Sequence, residues 1–182
     1  MMLYVEDQAT QPLLTNARIH MGFMADAAAL NREILDRYLQ LREQDFLRRS
    51  HCFHGRYENL YLAREQIPAI GHVLTQAACY ARRLIAPADQ QLRCGFWIND
   101  MGPGAVTTEH NHDENDEILS AVYYIQAPPD SGDLVIRESH SSTQITPQDG
   151  MFVFFAPAVT HSVSLNQSGQ RRISIGMNFG PA

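Results

Sequence analysis

The sequence predicts an α+β, mainly β domain in which two helices pack on a β-sandwich or barrel. Three observations carry this expectation. From Leu92 onward, short alternating runs are separated by Gly, Pro, Asn and Asp, the pattern of a sandwich or barrel. Upstream, two segments repeat apolar residues at helical spacing. Finally, 182 residues with 45% hydrophobic content suffice for one core and are too few for two comfortable ones. One domain is therefore expected over 1–182, with 1–90 as a helical support and 91–182 as the β core.

Taken in order, Met2 to Val5 and Ile19 to Met24 are short apolar pieces suited to edge strands. Asp26 is placed to cap a helix whose apolar positions are Ala27, Leu30, Ile34, Tyr38 and Leu41. The stretch from His51 to Tyr61 mixes histidines, Arg56, Glu58 and aromatics in one extended piece. It suits an edge strand with a solvated face, or a wall of a substrate site. Gln66-Ile67-Pro68 opens the second helix, with Ile67, Ile70, Leu74, Ala77, Ala81 and Leu84 as its buried stripe and Pro87 past its end. Strands follow over 93–99, 119–126, 151–155 and 172–179, separated by turns at 102–104, 128–132 and 147–150.

Composition narrows the function classes. A net charge of -6 argues against general binding to nucleic acid backbones, which needs a basic surface. All fourteen basic residues are Arg, which excludes Schiff-base lysine chemistry. Cys52, Cys79 and Cys94 are odd in number and match no zinc or redox spacing, so free thiols in a reducing cytoplasm are expected. No apolar run approaches a membrane span, and the N-terminus has no signal-like pattern.

Chemistry concentrates on few residues. His110 and His112 lie one residue apart and would share a face of an extended segment. His161 follows the apolar run Met151 to Phe155. Imidazoles suit Zn, Cu, Fe and Ni, so the three histidines propose a metal site without naming the metal. Arg172 and Ser174 alternate onto one strand face, and a guanidinium beside a hydroxyl is a natural clamp for a carboxylate. A metal next to such a clamp suits a small acid that chelates at one end and is anchored at the other. Trp97 and Asn99 share a face, where they can line and donate into a pocket or serve as core Trp and turn Asn. Tyr123 and Tyr124 point to opposite faces; one can bond a co-substrate, and Tyr124 is assigned that role with Asn99.

These pieces form an ordered set: Trp97-Ile98-Asn99, His110-Asn111-His112, Leu119 to Tyr124, Ser131 to Leu134, Pro147 to Gly150, Phe154 to Pro157, His161-Ser162-Val163 and Arg172 to Phe179. Over this C-terminal half the chain resembles the iron(II)- and 2-oxoglutarate-dependent oxygenases, above all a small bacterial and phage branch. The resemblance implies a double-stranded β-helix, a cupin-like jelly roll carrying the two helices. It implies Fe(II) as metal, held by His110, His112 and His161, and 2-oxoglutarate as co-substrate anchored by Arg172 and Ser174. Substrate hydroxylation would release succinate and CO2. A small molecule, a peptide side chain or a modified nucleotide would all fit as substrate, and an edge strand could pair two chains into a homodimer. Two departures stand out. The usual first pair is His-x-Asp, and here it is His-x-His. The stretch Asp113 to Glu117 is also longer and more acidic, so one of its carboxylates competes with His112 for the third ligand position. Two other readings compete. Gly104, His110, His112, Glu117 and His161 come close to the metal pattern of a plain cupin enzyme that does not use 2-oxoglutarate. A non-catalytic binding module of the same fold is the other.

Overall fold

The structure, a computed structural model, describes residues 14–16, 19–53, 55–85, 91–112, 116–138 and 141–182. In chain order the elements are β1 (Leu14–Asn16), β2 (Ile19–Phe23), α1 (Ala27–Tyr38), β3 (Arg48–Phe53), β4 (Arg56–Tyr61) and α2 (Ile70–Leu84). They continue with β5 (Leu92–Met101), β6 (Thr107–His110), β7 (Leu119–Gln126), β8 (Leu134–Glu138) and β9 (Ser141–Ile145). The last three are β10 (Met151–Phe155), β11 (Thr160–Val163) and β12 (Arg172–Pro181). Eight strands form one sheet in the order β1-β2-β10-β7-β12-β5-β4-β3, and four form a second in the order β6-β11-β8-β9. All pairings are antiparallel. This is the expected jelly roll with two helices laid on it.

Alternation along the strands divides the large sheet into two faces. On β7, Leu119, Ala121, Tyr123 and Ile125 join the core beneath the helices, as do Ile173, Ile175, Met177 and Phe179 of β12. Their neighbours Tyr124, Val122, Met151, Val153 and Phe155 turn toward the small sheet and meet Leu134, Ile136 and Ile145 there. The helices supply Ile34, Tyr38, Ile70, Val73, Leu74, Ala77, Tyr80 and Ala81 to the first core. Asn31 fixes α1 in place. Its Nδ2 donates to the carbonyl of Ile125 (2.9 Å), and its Oδ1 accepts from the Tyr123 hydroxyl (2.5 Å). A buried amide so partnered contributes where an unpartnered one would destabilise.

Three expectations need correction. The first 90 residues are more than a helical support, because β1 to β4 extend the large sheet at both ends. Asp26 does sit at the start of α1, but its φ of 52° turns the side chain away from a cap and it makes no capping bond. The second helix begins at Ile70 rather than Gln66. Gln66 is spent on a turn instead, accepting from the Ala63 N–H (2.7 Å) and donating to the Asp45 carbonyl (2.5 Å). The piece Met2 to Val5 lies outside the described residues. Among the described residues no helix is long and apolar enough to cross a membrane.

Candidate active site

The site lies between the sheets, on the inner face of the large one. His110 ends β6 and stands in register opposite His161 of β11, so the two rings are cross-strand neighbours with centroids 4.3 Å apart. His112 follows β6 in a loop, and its N–H donates to the Pro157 carbonyl (2.9 Å). The expected reason for its position, alternation along a strand, is therefore wrong in detail. A backbone tether brings the ring in, 5.2 Å from His110 and 5.0 Å from His161. One ring nitrogen from each histidine falls within 4.8 Å of the others.

Two of these rings are oriented by backbone. His110 Nδ1 bonds the Thr108 carbonyl (2.9 Å) and His161 Nδ1 the Val159 carbonyl (3.1 Å). A carbonyl fixes Nδ1 as the protonated nitrogen and leaves the Nε2 lone pair for a metal. Burial holds His161 far below its ordinary range, at about 3, with the charge of His110 acting in the same direction and the Val159 carbonyl opposing. Burial likewise lowers His112 to about 4, aided by His110 and His51. Both are neutral, ligand-competent imidazoles at neutral pH. The donor set of three nitrogens fits a borderline metal such as iron(II).

At the other end of the cavity stands Arg172, only 2% exposed, with Ser174 also buried beside it on β12. The strand alternation is as expected, since Arg171 points outward and pairs with Asp100 at 2.7 Å. Among the described residues Arg172 has no carboxylate partner. One of its terminal nitrogens donates to the Met101 sulfur (3.2 Å), and its Nε is buried without a partner. The Tyr124 hydroxyl is also buried and unpartnered, with the Arg172 guanidinium 5.1 Å from its ring. Burial raises the Tyr124 pKa, opposed by Arg172, so the phenol stays protonated. A buried guanidinium with no acid partner and an unpartnered Nε, beside a buried hydroxyl with no partner, fits an anionic ligand, because leaving such groups unmade is costly. The cavity has a volume of about 60 Å³.

Asn99 lines this cavity but does not donate into it. Its Nδ2 bonds the Glu58 carbonyl (2.8 Å) and Asn59 Oδ1 (3.1 Å), and its Oδ1 accepts from Trp97 Nε1 (3.1 Å). It braces the wall between β4 and β5. The stretch 51–61 divides its roles. Glu58 and Asn59 form cavity wall, while Cys52 and Tyr57 face outward; His54 lies outside the described residues. Sequence reasoning missed Met101, which meets Arg172 only because the two are cross-strand partners. It also missed Gly176. A Cβ there would strike the Trp97 indole lying across it, so only glycine leaves room for that ring. Of the acidic candidates for a third ligand, Asp116 pairs with Arg93, Glu117 lines a neighbouring cleft, and Asp113 lies outside the described residues.

Residues 96–180 match the model of the 2OG-Fe(II) oxygenase superfamily. No curated protein sequence matches the chain. Similar solved structures include the non-heme alpha-ketoglutarate-dependent carbocyclase SnoK of nogalamycin biosynthesis, with a TM-score of 0.70 and 15% identity over 90% of this chain and 79% of that one. A 2OG-Fe(II) oxygenase family oxidoreductase from Burkholderia pseudomallei has a TM-score of 0.67 and 14% identity, covering 89% and 85%. A Pseudomonas putida prolyl-4-hydroxylase has a TM-score of 0.62 and 20% identity, covering 91% and 93%. At these identities the likeness is one of fold.

Proposed function

We propose that this chain, whose residues 96–180 match the model of the 2OG-Fe(II) oxygenase superfamily, is an iron(II)- and 2-oxoglutarate-dependent oxidoreductase, and that the following residues do the work. His110, His112 and His161 would hold the iron through the nitrogens that converge within 4.8 Å. Arg172, Ser174 and the Tyr124 hydroxyl would take the far carboxylate of 2-oxoglutarate. Bound iron supplies oxygen activation, coupled to decarboxylation of 2-oxoglutarate to succinate and CO2 and to hydroxylation of a substrate C–H bond.

The chain's own contribution is placement. Backbone carbonyls aim two imidazoles, and burial keeps His112 and His161 unprotonated for binding. Met101 offers Arg172 a neutral acceptor, so the guanidinium charge remains for the co-substrate. Three neutral imidazoles add no charge to a dication, which leaves the 2-oxoglutarate carboxylate as the counter-charge that an aspartate would otherwise share. The observation that carries this reading is the pairing of the histidine cluster with a buried arginine that has no acid partner among the described residues. A small-molecule or peptide substrate agrees with the acidic surface, and the free cysteines support a reducing, cytoplasmic setting.

The direct test is anaerobic addition of Fe(II) and 2-oxoglutarate to the apo-protein. A visible metal-to-ligand charge-transfer band is expected. Folded, iron-replete protein without that band would instead be a metal enzyme of the same fold that does not use 2-oxoglutarate.

A further inference from the structure

A second cleft, of about 350 Å³, opens beside the triad between the β3–β4 hairpin and the start of β5. It shares Asn59, Trp97 and His112 with the central cavity, so the two are continuous at the candidate metal ligand. Its aromatic wall leads inward. The rings of Tyr61 and Trp97 lie 6.2 Å apart, and Trp97 is 5.5 Å from His112.

The cleft is also lined by Glu117, whose side chain is only 10% exposed. Its Oε2 is buried and has no hydrogen-bond partner among the described residues. Its Oε1 lies 3.9 Å from Arg93 Nη1, a contact too long for a hydrogen bond. Arg93 spends its other terminal nitrogen on Asp116. The remaining basic groups of the cleft are engaged. Arg48 lies over the Tyr61 ring at 5.1 Å, and His51 Nδ1 bonds the Ser50 hydroxyl (2.9 Å). The cleft therefore presents a carboxylate acceptor lacking a donor among the described residues, beside a guanidinium donor, next to the tilted rings of Tyr61 and Trp97. A free anion would meet Glu117, and a free cation would meet Arg48 and Arg93. A neutral group with an N–H beside a C=O satisfies both partners at once.

We propose that this cleft is the primary-substrate site and takes a small planar ring compound bearing an amide or lactam edge. The ring stacks along Tyr61 and Trp97, the N–H donates to Glu117, and the carbonyl accepts from Arg93. This assignment rests on the oxygenase reading only for its name as a substrate site. The binding itself is tested apart from iron and 2-oxoglutarate.

Trp97 is the sole tryptophan, so its fluorescence reports on the cleft. Metal-free protein is titrated with benzamide, benzylamine and benzoate, three probes of similar size that differ in charge. Benzamide is expected to saturate and to bind at least about fivefold more tightly than the other two. Glu117→Leu, checked for an unchanged melting temperature, should weaken benzamide by about tenfold, because it removes the acceptor that selects the N–H. Tyr61→Ala should weaken all three probes by removing the stacking surface, which keeps the test open if Glu117→Leu fails to fold. Arg172→Leu should leave benzamide affinity intact. The proposal is overturned if benzoate or benzylamine binds as tightly as benzamide, if none saturates, or if Glu117→Leu leaves benzamide within about twofold. A charge-transfer band that fails to appear while benzamide still binds would count against the oxygenase reading alone.

Discussion

The two faces of β12 are built to opposite specifications on one strand. Ile173, Ile175, Met177 and Phe179 face the helices and are almost fully buried in an apolar core. Arg172, Ser174 and Gly176 face the small sheet and line the cavity, with Asn178 in the adjoining cleft. Period-two alternation makes this separation automatic, since a one-residue slip would exchange the faces. The outer face derives its stability from area removed from water. The inner face carries a cation and a hydroxyl with no protein partner of opposite charge, and so gives up stability in exchange for ligand binding.

That division can be broken from either side. The largest effect is expected at the metal end. His112→Ala should lose most iron affinity, His112→Asp should regain binding and some turnover, and neither should lower the melting temperature of the apo-protein. Iron content after reconstitution measures this. Normal iron in His112→Ala, with loss in Glu117→Ala, would move the third ligand to the acidic stretch. On the outer face, Phe152→Ala should cost about 3–5 kcal/mol of unfolding free energy through cavity formation. Below its melting temperature it should leave 2-oxoglutarate affinity near normal. Denaturant unfolding and calorimetric titration separate the two readouts. Arg172→Leu should do the reverse, weakening 2-oxoglutarate by about 2–5 kcal/mol with the fold intact. Arg171→Leu is the control, and a larger loss in that variant would place the strand in the wrong register.

A further effect is a dependence on pH. His112 and His161 titrate near 4 and 3 in the folded protein against an ordinary value of 6.5. Below pH 6.5 the unfolded chain takes up protons that the fold refuses. Their contribution is therefore complete above pH 6.5 and is lost as pH falls toward 4 and then 3. The apo-protein should melt at progressively lower temperature across that window, and His161→Gln should flatten the slope. An unchanged slope in that variant would mean that other groups set the acid limb.

The elements most legible in the sequence were those with a local signature. Alternation placed Arg172 and Arg171 on opposite faces, and it separated Tyr123, buried against Asn31, from Tyr124 in the cavity. Helical spacing found both helices. What stayed hidden depends on pairing. Met101 meets Arg172, and Gly176 lies under Trp97, through cross-strand register that no single segment encodes. Asn31 looked like one more polar position on α1 because its partners sit 92 to 94 residues away. Asn99 was assigned a donor role because the pairing of the 51–61 strand against β5, which engages its amide, could not be foreseen. His112 lies in the histidine cluster through the loop that follows β6, not through the strand alternation expected for it.

The β3–β4 hairpin joins the barrel through one registered backbone pair, Leu60 with Ile98, whereas β12 and β5 match over ten positions from Arg172–Met101 to Pro181–Leu92. The histidines and Arg172 belong to strands and loops on the other side of that join. Mutation can therefore change the hairpin's outward positions, such as Cys52 and Tyr57, while Glu58 and Asn59 keep their hold on Asn99 and the reaction centre keeps its geometry. In evolutionary terms the hairpin's outward side is the exchangeable part, able to diverge toward new compounds in descendants that inherit the same chemistry unaltered.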